Sequence, residues 1–255
     1  HAGGLHVPQS IEKAKAYHLK ASQLLRKADN RTDEALEYVL PYAELEYDDA
    51  KLELVRVYLG LWHTESRDKA HAILSPEFLA QSAEANYLKG TLAFRQTKGS
   101  MKERMFARIE WQRKSGVMGY APGQVANGLA YAKGRGVDKS YENAAIWYKK
   151  AMAQNYPPGF YMLGKMYSNG DGVERNDKEA AGLIEKAANL GHSSAQEDTA
   201  YNYRNGRGVQ KDLQTAIEWY AKARKTAFAE HDYKKASRIS RLIQETEAEL
   251  KAEKP

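Results

Sequence analysis

The chain has 255 residues, of which 42% are hydrophobic and 28% charged, and its formal net charge is +6. That apolar share is too high for a disordered chain. The absence of cysteine excludes disulfides, zinc–thiolate centres and thiol chemistry, and there is no apolar run of about 18 residues to span a membrane. Alanine, leucine, glutamate, lysine and tyrosine are common, and the prolines mostly fall where helices should start or stop, so the expectation is an all-helical protein.

Taken in order, residues 1–10, beginning His1-Ala2-Gly3-Gly4, read as a flexible lead left by expression or by processing of a precursor. A helix is expected over about 11–28, with Ile11, Ala14, Tyr17, Ala21, Leu24 and Leu25 at helical spacing. Ala35, Tyr38 and Ala43 suggest a second helix, and 49–58 a third. Ser66 and Asp68 look like a helix start between His63 and His71. Residues 85–90 resemble the first helix of a degraded repeat, with its turn decayed to Lys98-Gly99-Ser100. Trp111 and Lys114 precede Trp147 and Lys150 by 36 residues.

From residue 121 that period is regular. Gly134-Arg135-Gly136-Val137, Gly170-Asp171-Gly172-Val173 and Gly206-Arg207-Gly208-Val209 are spaced by 36 residues. A constant period of this size marks a stacked-repeat protein, because one unit cannot bury its own apolar face. Helix A of each unit carries small residues at 123/159/195 and 128/164/200 and tyrosine at 131/167/203. The first glycine of the turn suits a left-handed helix C-cap, and the valine can fill the gap between two helices. Ser140, Asn176 and Asp212 follow as N-caps, with Glu179 placed to complete a capping box with Asn176. Helix B then places alanines at 144/180/216 and 151/187/223, and Trp147, Leu183 and Trp219, on one face. Lys150, Lys186 and Lys222 lie beside that face. The B helices should end near 155, 191 and 227. A charged helix over 229–252, with Ile239, Leu242, Ile243 and Leu250 on one side, should cap the stack.

These columns resemble the Sel1-like repeat, a relative of the tetratricopeptide repeat. Its best unit here runs Gly159, Leu163, Gly164, Tyr167, Gly170, Gly172, Val173, Ala180, Leu183, Ala187. Asn127 and Thr199 depart from the expected leucine, and Leu183 from tryptophan. The resemblance implies a right-handed superhelical solenoid of helix pairs. Degenerate repeats would occupy 11–120, three regular ones 121–228, and a capping helix 229–255, as one continuous solenoid. It also implies a scaffold or adaptor in multiprotein assemblies, and bacterial relatives are often exported or act at the cell envelope. A periplasmic or exported location is therefore expected, with the cytoplasm as alternative. The repeat's marked positions are structural, so no catalytic residue carries over.

Candidate chemistry is thin. No histidine lies in a metal-binding pattern, and His192 shares a loop column with Tyr120 and Tyr156. Gly-x-Gly-Val lacks the Lys-Ser/Thr and the strand of a phosphate loop. The glycines 134, 136, 170, 172, 206 and 208 are thus read as structural turns. No enzyme activity, cofactor or metal is expected. In such solenoids the stacked A helices line a concave groove. Its expected columns are Val125/Tyr161/Glu197, Leu129/Lys165/Tyr201, Ala132/Ser168/Arg204 and Lys133/Asn169/Asn205. Tyr161, Lys165, Tyr201 and Arg204 are the candidate partner-binding residues, since aromatic and arginine side chains anchor interfaces. The expected partner is a protein or peptide. Residues 101–155 hold ten Lys/Arg against four Asp/Glu, which leaves a glycan or anionic polymer as the second reading. A specific nucleic-acid partner is not expected, because no recognised motif accompanies the charge.

Overall fold

The computed structural model describes residues 16, 18–23, 25, 32–44, 47–61 and 64–253. All regular structure among them is α-helical, and consecutive helices pack in pairs as an α-solenoid. The chain divides into two compact units, 1–119 and 120–255.

In the first unit residues 18–23 are helical; most of the helix expected over 11–28, with Ile11, Ala14, Tyr17 and Leu24, lies outside the described residues. So do His1, His6 and His63. The helices that follow are α1 (Thr32–Glu44), α2 (Asp48–Gly60), α3 (Thr64–Ile73), α4 (Pro76–Gln81), α5 (Ala83–Gln96) and α6 (Met101–Val117). Their core is built on Val39, Leu54, Val55, Val57, Leu74, Phe78 and Leu92. Pro76, Pro122, Pro157 and Pro158 open helices as expected, with Pro41 inside α1 as an exception. One expectation needs correction. α3 begins at Thr64, ahead of Ser66 and Asp68, and Ser66 is buried instead of capping. Lys98-Gly99-Ser100 does end one helix and start the next: Gly99 has φ 127°, and Ser100 and Glu103 form the full capping box.

The second unit repeats one geometry. It comprises α7 (Ala121–Lys133), α8 (Tyr141–Ala153), α9 (Pro157–Asn169), α10 (Asp177–Asn189), α11 (Ser193–Asn205), α12 (Leu213–Ala229) and α13 (Tyr233–Ala252). Each A helix ends on its glycine, Gly134, Gly170 or Gly206, in the left-handed conformation. Ser140, Asn176 and Asp212 then accept the third backbone N–H of α8, α10 and α12 at 3.1, 3.0 and 3.0 Å. These bonds satisfy donors that a helix start leaves unpaired. The reciprocal bond expected from Glu179 is not part of the Asn176 cap.

The second glycine of the turn serves the neighbouring repeat. A Cβ on Gly172 would lie 2.3 Å from Cβ of Tyr141, and one on Gly208 would lie 1.9 Å from the Asp177 carbonyl oxygen. Tyr141 and Asp177 open α8 and α10, so each turn is pressed onto the helix start of the repeat before it. Arg207 strengthens that seam: its guanidinium reaches the Asp177 carboxylate at 3.3 Å and donates to the Ser168 carbonyl at 3.0 Å. The turn is therefore an inter-repeat staple as well as a bend between two helices.

Helix B buries one column more than expected. Its alanines are buried, as predicted, but the deepest large side chains are Tyr148, Ile184 and Tyr220, one residue after the Trp/Leu column. They sit four residues after one alanine column and three before the other, so they share its face. Trp147 and Leu183 are only half-buried, although Trp219 is buried. Lys114, Lys150 and Lys222 lie over the rings of Trp111, Trp147 and Trp219 at 4.3, 4.2 and 4.0 Å. Asn127 and Thr199 occupy the buried leucine column in spite of their polarity. The last B helix runs one turn longer. The left-handed residue that follows α8 and α10 at Asn155 and Gly191 moves to His231, so α13 starts at Tyr233 rather than 229.

Candidate functional site

The site is built on α11, the A helix of the last regular repeat. His192 caps it, its Nδ1 accepting the Ala195 N–H at 3.1 Å. That bond requires the imidazole to be neutral at Nδ1. Ala195, Gln196, Thr199, Ala200 and Asn202 are buried. Glu197, Tyr201, Arg204 and Asn205 recur at helical spacing on another face, where Asp198 joins them. They line a cleft of about 330 Å3 closed by Tyr220 of α12 and by Arg238, Leu242 and Glu249 of α13.

Most charges in the cleft are already matched. Asp198 Oδ2 accepts the Tyr161 hydroxyl at 3.1 Å and Lys165 Nζ at 3.2 Å, both from α9. Tyr161 also stacks on His192, ring centroids 4.5 Å apart. Burial, with Asp198 beside it, pushes the Tyr161 hydroxyl well above the usual tyrosine value. Glu197 accepts from both terminal guanidinium nitrogens of Arg238. Arg204 is held by Glu249, with Nε–Oε2 at 3.2 Å, and by Glu245 at 3.4 Å. The Arg204 hydrogen bond holds Glu249 below the usual carboxylate range. Burial, then Lys235, lowers the His192 pKa below 6.5.

The four candidate residues therefore gather around one region, but with different duties. Tyr161 and Lys165 bind Asp198 across the repeat boundary. The Arg204 side chain is only 17% exposed and belongs to the α11–α13 contact. Tyr201 is 50% exposed at the mouth of the cleft, its carbonyl receiving the Asn205 amide at 2.8 Å. Among the other columns expected to face an open groove, Val125 and Ser168 are buried. The sequence reading misses Asp198 and the α13 residues, and it names Glu197 only as a column member. Asp198 has Ala126 and Met162 in its column, so the period carries no sign of it.

Among the described residues there is no group of three or more His, Asp or Glu able to hold a metal, and no helix is long and apolar enough to cross a membrane. The cleft offers a ring, a hydroxyl, an amide and partly open carboxylates, which suits recognition by packing and hydrogen bonding.

With this geometry in place, the comparisons assign the chain to a class. The Sel1 repeat family matches residues 1–24, 123–156, 161–192 and 193–225. The chain thus carries Sel1 repeats over just under half of its length, and Sel1-repeat proteins are generally protein–protein interaction scaffolds, typically non-enzymatic. Among solved structures it is similar to a Sel1 repeat protein from Oxalobacter formigenes, with 21% identity, a TM-score of 0.66, and coverage of 89% of this chain and 99% of that one. It is also similar to a protective antigen present in uropathogenic Escherichia coli strains that displays an SLR fold. There the identity is 25% and the TM-score 0.58, and 87% of this chain aligns with 48% of that one. No curated protein matches the chain.

Proposed function

We propose that the protein is a non-enzymatic scaffold that binds a protein or peptide partner at the α11 cleft, with Tyr201 as the exposed anchor. One observation carries this reading. In a face whose charges are otherwise spent on each other, a half-exposed tyrosine stands beside a polar cleft. Tyrosine adds contact area at low entropic cost and can hydrogen-bond at its tip, which is why it recurs at interfaces. Tyr161, Lys165 and Arg204 support the site by fixing Asp198 and α13. A bacterial, envelope-associated or exported setting is supported by the likeness to the uropathogenic antigen.

Tyr201→Ala should weaken capture of the partner from native cells while leaving the unfolding midpoint unchanged. Undiminished capture would move the site elsewhere. The glycan or polyanion reading would rest on the basic side chains of 101–155, most of which are exposed, but several of them pack on aromatic rings. Lys114, Lys139 and Lys150 lie on aromatic rings, as do Arg104 and Arg108. Polyanion binding would fall steeply between roughly 50 and 200 mM salt, and partner capture through Tyr201 would not.

A further inference from the structure

The first unit holds a larger and more apolar pocket of about 700 Å3, lined by Pro76, Leu79, Trp111, Val117 and Met118, with Glu110, Arg113 and Lys114 as its charged lining. That volume lies in the roughly 300–1,000 Å3 range of sites that hold small ligands or a few side chains. The walls are fixed. Asn86, itself 3% exposed, donates to the carbonyls of Leu79 and Ser82 at 2.5 and 2.9 Å and lies 3.4 Å from Met118 Sδ. One buried amide thus ties the end of α4 and the start of α5 to the residue that ends α6. Yet Val117 is 73% exposed and Met118 42%. Two large apolar side chains open to water beside a preformed apolar wall mark a surface that is covered in use.

Charge tells what covers it. α6 carries Lys102, Arg104, Arg108, Arg113 and Lys114 against Glu103 and Glu110, and of these Arg113, Lys114 and Glu110 line the pocket, two positive charges against one negative. Glu103 is engaged in the Ser100 capping box. Lys114 meets the Trp111 ring rather than a carboxylate. An occupant with carboxylates gains from this field, and one with lysines is repelled.

We propose that this pocket docks a short acidic peptide segment of a partner protein, an aliphatic or aromatic anchor seated on Trp111, Val117 and Met118 with flanking carboxylates facing Arg113 and Lys114. An anionic membrane would share the charge preference. However, Val117 and Met118 belong to the walls of a concavity with Pro76 and Leu79, and a bilayer calls for a protruding ridge. The site is independent of the α11 cleft.

The test is to pan a random heptapeptide display library on the immobilised full chain at low salt. Retention is then compared on Val117→Asp, Lys114→Glu and Tyr201→Ala variants of unchanged unfolding midpoint. The expected result is enrichment of Leu, Ile, Phe or Trp next to Asp or Glu. Retention of these peptides should drop about tenfold or more on Val117→Asp and Lys114→Glu but not on Tyr201→Ala, the best peptide weakening as salt screens the charges. Absence of enrichment, enrichment of basic peptides, or peptides insensitive to Val117→Asp would overturn the proposal. So would binding of phosphatidylglycerol vesicles that Val117→Asp abolishes while no peptide is enriched.

Discussion

Gly208 shows how much one residue can carry in a repeat protein. Its φ of 72° is one that side-chain-bearing residues rarely adopt, and its α-carbon faces the Asp177 carbonyl with no room for a methyl group. Gly208→Ala should therefore cost about 2 kcal/mol or more, seen as a lower denaturant midpoint. Gly182, exposed in α10 with nothing within 4 Å of where a methyl group would sit, is the matched control. Gly182→Ala should raise stability by roughly 0.5–1 kcal/mol, because alanine loses less backbone entropy in a helix. His192 adds a pH term. Its folded pKa lies below 6.5, so the unfolded chain takes up the proton first. Its contribution is complete above pH 6.5 and is lost as pH falls from 6.5 through the folded value. His192→Asn keeps a capping oxygen without the titration. It should flatten the dependence of the thermal midpoint on pH in that window, and an unchanged slope would show that His192 is not its source.

At the scale of the element, α13 has its charges placed against its own dipole. Lys234, Lys235, Arg238 and Arg241 fill its first half, and Glu245, Glu247 and Glu249 most of its second, with Lys251 alone following the dipole. A helix in isolation prefers the reverse. The layout is explained by docking: Lys235 reaches Ser193 at 2.6 Å, Arg238 meets Glu197, Arg204 meets Glu249, and Lys211 meets Glu253 at 2.7 Å. Glu249→Arg should lower the unfolding free energy by about 1 kcal/mol or somewhat more, since it replaces an attraction with a repulsion, and adding Arg204→Glu should recover most of the loss. The separate α13 is legible in the sequence through its amphipathic pattern and its place after the last repeat. Its start is not, because the left-handed residue shifts from the period to His231, a residue type that gives less warning than glycine. The turns and N-caps are legible for the opposite reason: each is a local backbone requirement met by one narrow class of residue. The Tyr148/Ile184/Tyr220 column is hidden because the Trp/Leu column beside it is equally apolar, and only packing decides between them.

Across the whole molecule, the repeat period specifies how helices stack and leaves recognition to side chains outside the pattern. Tyr161 and Arg204 stand out in their columns, yet their partners Asp198 and Glu249 are 37 and 45 residues away and follow no period. Their support roles are therefore hidden in the sequence, while the exposure of Tyr201 follows from its place on the outer stripe of α11. The two compact units each bring a distinct surface, a polar cleft on α11 and an apolar, basic-rimmed pocket on α6. The central claim is that the α11 cleft is where a partner protein sits. It is tested most directly by placing a photo-crosslinking phenylalanine analogue at position 201, and separately at Ile146, which is 51% exposed on α8. Both variants are irradiated in the native cell. The account predicts a discrete crosslinked polypeptide from position 201 and none from position 146. No adduct at 201, or the same adducts at both positions, would contradict it.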